Sequence, residues 1–220
     1  MNPFHNPAAI RQREAAQARV RRAGIALDVS ELPSFGFGHR SLMWWGTQGL
    51  MAVEGTVFAL LIGAYAYIAL QADRWPPTGP APDLAWGAVH TLVALLSLWP
   101  NHRIKQRAEQ LDLASVRRGM VVHSLVGAVL LAIRWAEFRH LNVGWDDDVY
   151  GSLVWLLLGL HTTHLATDVY DTWVLTALIW SRKMALRRFA DVSENALYWY
   201  FVVWSWLPIW AVVYGVPRWL

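Results

Sequence analysis

The chain has no cysteine and little charge: of its 220 residues, only 16% are Asp, Glu, Lys or Arg. Without thiols there is no disulfide, no iron–sulfur cluster, no thiolate copper centre and no C-x-x-C-H attachment of a c-type haem. Any bound cofactor would have to rest on His, carboxylate or Met. A hydrophobic content of 55%, with 15 tryptophans, lies outside the usual soluble composition and reads as an integral membrane protein. The net charge of +3 is too small to point to a nucleic-acid partner. The first long apolar run starts only near Leu42 and reaches full spanning length, so no cleavable signal peptide is expected.

What the sequence has in quantity is apolar length. Five runs, at about 43–70, 84–101, 119–137, 150–180 and 196–216, each approach the roughly 20 residues needed to cross a hydrocarbon core about 30 Å thick. The fold class expected is all-α, a polytopic membrane protein of five transmembrane helices. The fourth run is long enough to tilt strongly or to project from the membrane, and Pro100 fits the end of the second helix better than its middle. Residues 1–41 form a separate arm, basic in "RQREAAQARVRR" and then broken by "LPSFGFGHR", whose Pro and Gly predict an irregular, extended stretch. The apolar face of the basic half is thin (Ile10, Val20, Ile25), which favours a solvated cytoplasmic segment over a helix on the membrane surface.

The basic residues set the expected orientation, because Lys and Arg are retained on the cytoplasmic side. The arm, the second loop and the fourth loop hold 15 of the 19. Opposite them stand Arg74, Arg139 and Arg218, with Arg134 inside the third run near its end. A cytoplasmic N-terminus and an outside C-terminus follow. Trp44, Trp45, Trp99 and Trp180 on one side, and Trp75, Trp86, Trp145 and Trp219 on the other, fall where interfacial aromatic belts are expected. No internal repeat is visible, which gives a small transporter little support.

Polar groups inside these runs carry the functional question. Glu54 sits mid-span, where an ionised carboxylate costs roughly 3 kcal/mol, so it is expected to be neutral or paired. Its two readings are a hydrogen bond between helices and a proton- or lipid-linked role. Gly49, Gly55 and Gly63 give the same helix small faces for a close helix or lipid. In "GLHTTHLATDVYD", His161, His164, Asp168 and Asp171 follow at spacings that put all four on one helix face. That face has four readings: hydrogen bonds to neighbouring helices, a proton relay, a metal held by His161, His164 and Asp168, or a haem for which His90 and His123 would be partners. Hydrogen bonding is the favoured one, since a di-metal site of the bundle type needs Glu-x-x-His on two helices and the sequence does not offer that spacing twice. Arg134 and Glu137, at i and i+3, are placed to pair with each other or with Asp146–Asp148. The run "WDDDVY" is more readily a solvated loop than a cation or partner site.

Three blocks carry a family resemblance: "WWGTQGLMAVEGTVFALLIGAYAYI", "EFRHLNVGWDDDVYGSLVWLLLGLHTTHLATDVYDTWVLTALI" and "YWYFVVWSWLPIWAVVY". In this order they resemble subunit III of haem-copper (cytochrome c) oxidases, in the short five-helix form, and "YGS…GLHxxH" is the most specific of them. The resemblance makes residues 42–220 a subunit III-like domain with its helices in two packed groups. It makes Glu54 similar to the family's membrane-embedded glutamate, His161 and His164 to its paired histidines, Glu137 to the glutamate before the fourth span, and Tyr150, Gly151 and Ser152 to that span's opening. It implies a non-catalytic accessory subunit of a bacterial plasma-membrane respiratory oxidase in aerobic electron transport. Such a subunit has no cofactor of its own, packs against catalytic subunit I and other subunits that hold haem and copper, binds phospholipid between its helix groups, and supports proton uptake. Three positions depart from the family pattern: Tyr200 replaces His, Val203 replaces Asp, and Asp168 stands where Gly is usual. They leave open a divergent branch such as the subunit III-like protein of nitric oxide reductases.

Overall fold

The computed structural model describes residues 36–181 and 186–219. The basic half of the arm lies outside them. Of "LPSFGFGHR", the described end closes into a 3-10 turn at Gly38–Arg40. Five long helices follow: α1 (Leu42–Gln71), α2 (Leu84–Glu109), α3 (Leu113–Phe138), α4 (Val149–Ser181) and α5 (Leu186–Trp210). The last continues through a π-helical turn, Ala211–Gly215, into a final turn at Val216–Trp219. Among the described residues there is no strand.

Helices α2, α3, α4 and α5 pack in a ring, each against the next and α5 back against α2, while α1 lies alone in the groove between α4 and α5. Four helices thus form one packed group, with α1 alone beside it. Helices α1, α3 and the continuous last helix are long and apolar enough to cross a membrane by composition alone. Helices α2 and α4 are as long, but carry His90, Ser97 and Asn101, and His161, Asp168 and Thr172, all buried inside the bundle. Short connections make α2 and α4 antiparallel neighbours of α3, so they run beside it through the same layer.

Local chemistry explains the ends. Asp83 caps α2 by accepting the Ala85 N–H at 3.0 Å, and Asp112 caps α3 by accepting the Ser115 N–H at 3.1 Å. The Ser115 hydroxyl and N–H hold the Asp112 carboxyl below the usual carboxylate range. The turn from α2 to α3 is tight: the Asp112 N–H donates to the Arg107 carbonyl and Leu111 takes a left-handed φ of 58°. Before α4, the acidic run closes its own loop. Asp147 accepts the Gly144 N–H, and Asp148 accepts the Gly151 N–H and the Thr78 hydroxyl.

Two expectations need correction. Pro100 lies within α2, nine residues short of its end at Glu109. Burial draws the helix onward, since Ile104 and Ala108 pack against Val116, Met120 and Ile179, and the Asn101 amide donates to the Ala196 carbonyl of α5 at 2.8 Å. Trp75 is a core residue and not part of an aromatic belt: it stacks edge-on against Tyr65 and Tyr150 and donates to the Tyr65 hydroxyl at 2.8 Å. On α1, beyond the helix's own backbone, a Cβ built at Gly49 or Gly63 meets no described atom within 4 Å and one at Gly55 meets only Phe201, at 3.6 Å, so these small faces stand open to a lipid or another helix. The close approaches occur at other glycines. A Cβ at Gly87 would stand 2.5 Å from the Tyr214 ring, one at Gly127 2.7 Å from Val169, and one at Gly151 2.1 Å from the Gly144 carbonyl oxygen.

Candidate functional site

The half of the bundle nearer the α1–α2 and α3–α4 connections encloses a charged network. Arg134, near the end of α3, donates from Nη1 to Glu137 one turn on at 2.7 Å, and both side chains are 1% exposed. Its Nη2 lies 2.9 Å from His90 Nε2 on α2 and 3.1 Å from His161 Nδ1 on α4. A guanidinium can only donate, so both ring nitrogens accept and each imidazole keeps its proton on the other nitrogen. His161 then donates from Nε2 to the Val202 carbonyl of α5 at 3.0 Å. Tyr214, carried by the π-helical turn, donates its hydroxyl to the other oxygen of Glu137. Trp206 completes the enclosure with its ring 4.0 Å from the Arg134 guanidinium carbon. All four helices of the ring thus contribute to one buried ion pair. Arg134 pairs with Glu137 and not with Asp146–Asp148, of which Asp147 and Asp148 serve the loop contacts above.

The other half holds an acidic cleft of about 580 Å³ between α1, α4 and α5. Glu54 of α1 accepts from the Tyr198 hydroxyl at 2.7 Å and lies 3.5 Å from His164 Nε2. His164 Nδ1 reaches the Leu160 carbonyl of its own helix. Asp168 is buried and accepts from the Asn195 amide at 2.8 Å, while its second oxygen meets no partner among the described residues. Asn195 also reaches Asp171 at 3.5 Å and accepts from Thr172 at 3.1 Å. The ring of Phe58 stands between the two sites, 5.0 Å from that of His164 and 6.3 Å from that of His161.

The two histidines and two aspartates of "GLHTTHLATDVYD" are therefore divided, with His161 serving the network and the other three serving the cleft. Among the described residues no group of three His, Asp or Glu is arranged to hold a metal ion. His90 and His161 both face the Arg134 guanidinium. His123 packs its ring 4.4 Å from that of Trp199. The departures from the family pattern have local partners. Tyr200 pairs with His102 at 2.9 Å, Asp168 with Asn195, and Val203 fills apolar core beside Leu130 and Leu165.

Sequence reasoning missed Tyr214, Trp206, Tyr198 and Asn195, and gave His90 only a haem role. The signal available was weak: all but His90 sit in or next to the last apolar run, where an aromatic hydroxyl, an indole or a single amide reads as core. Gly151 was quoted as a motif residue, and its reason is steric, because the Gly144 carbonyl occupies the space a side chain would need.

A ring of membrane helices with a braced polar interior is the class of protein that this geometry defines. No protein-family model matches the chain. Individual relatives do. It is 23% identical over 182 residues to cytochrome c oxidase subunit 3 of Synechocystis sp., covering 80% of this chain and 77% of that one. It is 23% identical over 206 residues to the subunit of the same name from Thermostichus vulcanus, covering 92% of this chain and 99% of that one. With the probable cytochrome c oxidase subunit 3 of Mycobacterium tuberculosis it shares 27% identity over 175 residues, covering 78% and 86%. The chain is thus similar over most of its length to several proteins named cytochrome c oxidase subunit 3, which supports a place in that family.

Proposed function

We propose that this chain is a non-catalytic accessory subunit of a respiratory haem-copper oxidase in a bacterial plasma membrane, with the N-terminus in the cytoplasm and the C-terminus outside. Its role is to hold the catalytic subunit in its working form. The observation that carries this is the Arg134 network: the strongest polar groups of the core are engaged by one another and by three neighbouring helices, an arrangement suited to bracing. Haem and copper belong to the partner subunits.

The cleft supports the finer parts of the role. Its apolar wall, including Leu50, Val174 and Leu178, accepts a phospholipid chain between α1 and the ring. Glu54, Asp168 and Asp171 give it carboxylates that exchange protons, which suits a subunit that supports proton uptake by its partner.

The test is the purified complex carrying Glu54→Ala or His161→Ala. Both variants should insert, yet loosen association with the catalytic subunit or shorten the lifetime of activity during turnover. Unchanged assembly and unchanged lifetime in both would overturn the proposal. Identifying the proteins that accompany the chain also decides the parent complex, and co-purification with a nitric oxide reductase would replace the oxidase.

A further inference from the structure

Where α2 turns into α3, the groove between these helices opens to about 660 Å³ and is lined by Trp99, Arg103, Arg107, Arg118 and Val122, among others. Trp99, Arg103 and Arg107 follow at intervals of four along α2 and so share one face. The Arg103 guanidinium carbon lies 4.1 Å from the centroid of the Trp99 ring, which holds that cation at the groove's edge. Arg118 is tethered by its Nε to the Ala114 carbonyl at 3.3 Å. Arg107 shares its charge with Asp112 at 3.6 Å. Three guanidinium groups thus stand against one carboxylate. Away from this end the character changes: Leu92, Leu96, Val122, Leu125 and Val129 are exposed along the same stretch of the two helices.

A cationic mouth leading into an apolar strip matches a molecule with an anionic head and a hydrocarbon body. A soluble polyanion would leave the strip uncovered. An acidic protein segment would meet exposed leucine and valine at hydrocarbon depth. Planar guanidinium forks suit phosphate oxygens in particular, and basic pockets between membrane helices are suited to anionic lipid heads. We propose that the α2–α3 groove binds one anionic glycerophospholipid, its phosphodiester held by Arg103, Arg107 and Arg118 and an acyl chain lying along α2 and α3. This site is separate from the acidic cleft beside α1, where Glu54, Asp168, Asp171, Asp191 and Glu194 would repel the same head group.

The experiment uses the full chain in its purified membrane complex and counts phosphatidylglycerol by native mass spectrometry during exchange into phosphatidylcholine nanodiscs. The wild type should keep one phosphatidylglycerol per chain. Each arginine removed should weaken retention about fivefold, so R103Q/R107Q/R118Q should lose on the order of 100-fold. Should the triple variant not assemble, Arg118→Gln alone decides, with the fivefold loss expected. Wild-type retention in the variants overturns the proposal. So does loss of a protein subunit with the lipid count unchanged, because the groove then seats a protein. Displacement by millimolar inorganic phosphate as readily as by excess phosphatidylglycerol also overturns it, since the site would then read a free anion. Loss of cleft lipid in a Glu54 variant leaves this count unchanged, so the two sites fail separately.

Discussion

The two halves of the bundle use the same kinds of residue in opposite ways. Around Arg134, a cation, a carboxylate, two imidazoles and a phenol are packed so tightly that the ion pair is 1% exposed and every helix of the ring is tied to it. Around Glu54 there are also carboxylates, an imidazole and a phenol, but among the described residues no interior arginine pairs with them. They line an open cleft on which α1 rests from one side. Arg188, at the cleft, is paired with Asp191 at 3.1 Å. The difference teaches that enclosure follows charge balance. A neutralised set can be sealed in low dielectric, whereas an unbalanced acidic set must keep contact with water, protons or a ligand.

If that contrast holds, the largest effect should come from unbalancing the sealed half. Glu137→Gln leaves the Arg134 charge buried without its counter-ion and should cost about 3–5 kcal/mol, read as a fall in the thermal midpoint of the purified complex. Replacing both partners, Arg134→Met with Glu137→Leu, should recover most of the loss. A single variant as stable as wild type would mean that the network does not brace the ring.

The next effect tests the packing around the network. Gly87→Ala puts a methyl 2.5 Å from the Tyr214 ring and so pushes against the side chain that satisfies Glu137. A cost of about 1–3 kcal/mol is expected, and Tyr214→Ala in the same background should remove most of that clash penalty. Additive losses would place the strain elsewhere. In the cleft the effect should be smaller. Tyr198→Phe removes one hydrogen bond to a Glu54 that the cleft already makes accessible, and should cost about 0.6–1.7 kcal/mol, the range for membrane hydrogen bonds. A loss as large as that of Glu137→Gln would erase the distinction between the halves.

The sequence made the helices legible because hydrocarbon thickness leaves few alternatives for five apolar runs. It also placed Arg134 beside Glu137, since i, i+3 neighbours on a helix must meet. What it could not give was the partner across space. His90, Tyr214 and Asn195 lie 44, 77 and 27 residues from the groups they serve, Arg134, Glu137 and Asp168. Only the ring order of the helices brings these residues together. The π-helical turn that aims Tyr214 has no signature beyond its own Gly215 and the nearby Pro208 and Pro217. The glycines show a related limit. Spacing shows that small residues share a face, but burial shows that Gly87, Gly127 and Gly151 are crowded while Gly49 and Gly63 are open.

That last contrast yields the smallest expected effect. At Gly63, mid-helix on α1, an added methyl meets no described atom within 4 Å beyond the helix's own backbone, so Gly63→Ala should stabilise the isolated chain by about 0.4–1 kcal/mol through reduced freedom of the unfolded state. The same substitution measured in the assembled complex separates two environments for the open face of α1. If lipid covers it, the gain persists. If a neighbouring subunit packs against it as closely as Tyr214 packs against Gly87, the methyl should weaken association while leaving the isolated chain more stable. The difference between the two measurements then reports what α1 faces, because a close helix contact penalises a methyl group and fluid acyl chains do not.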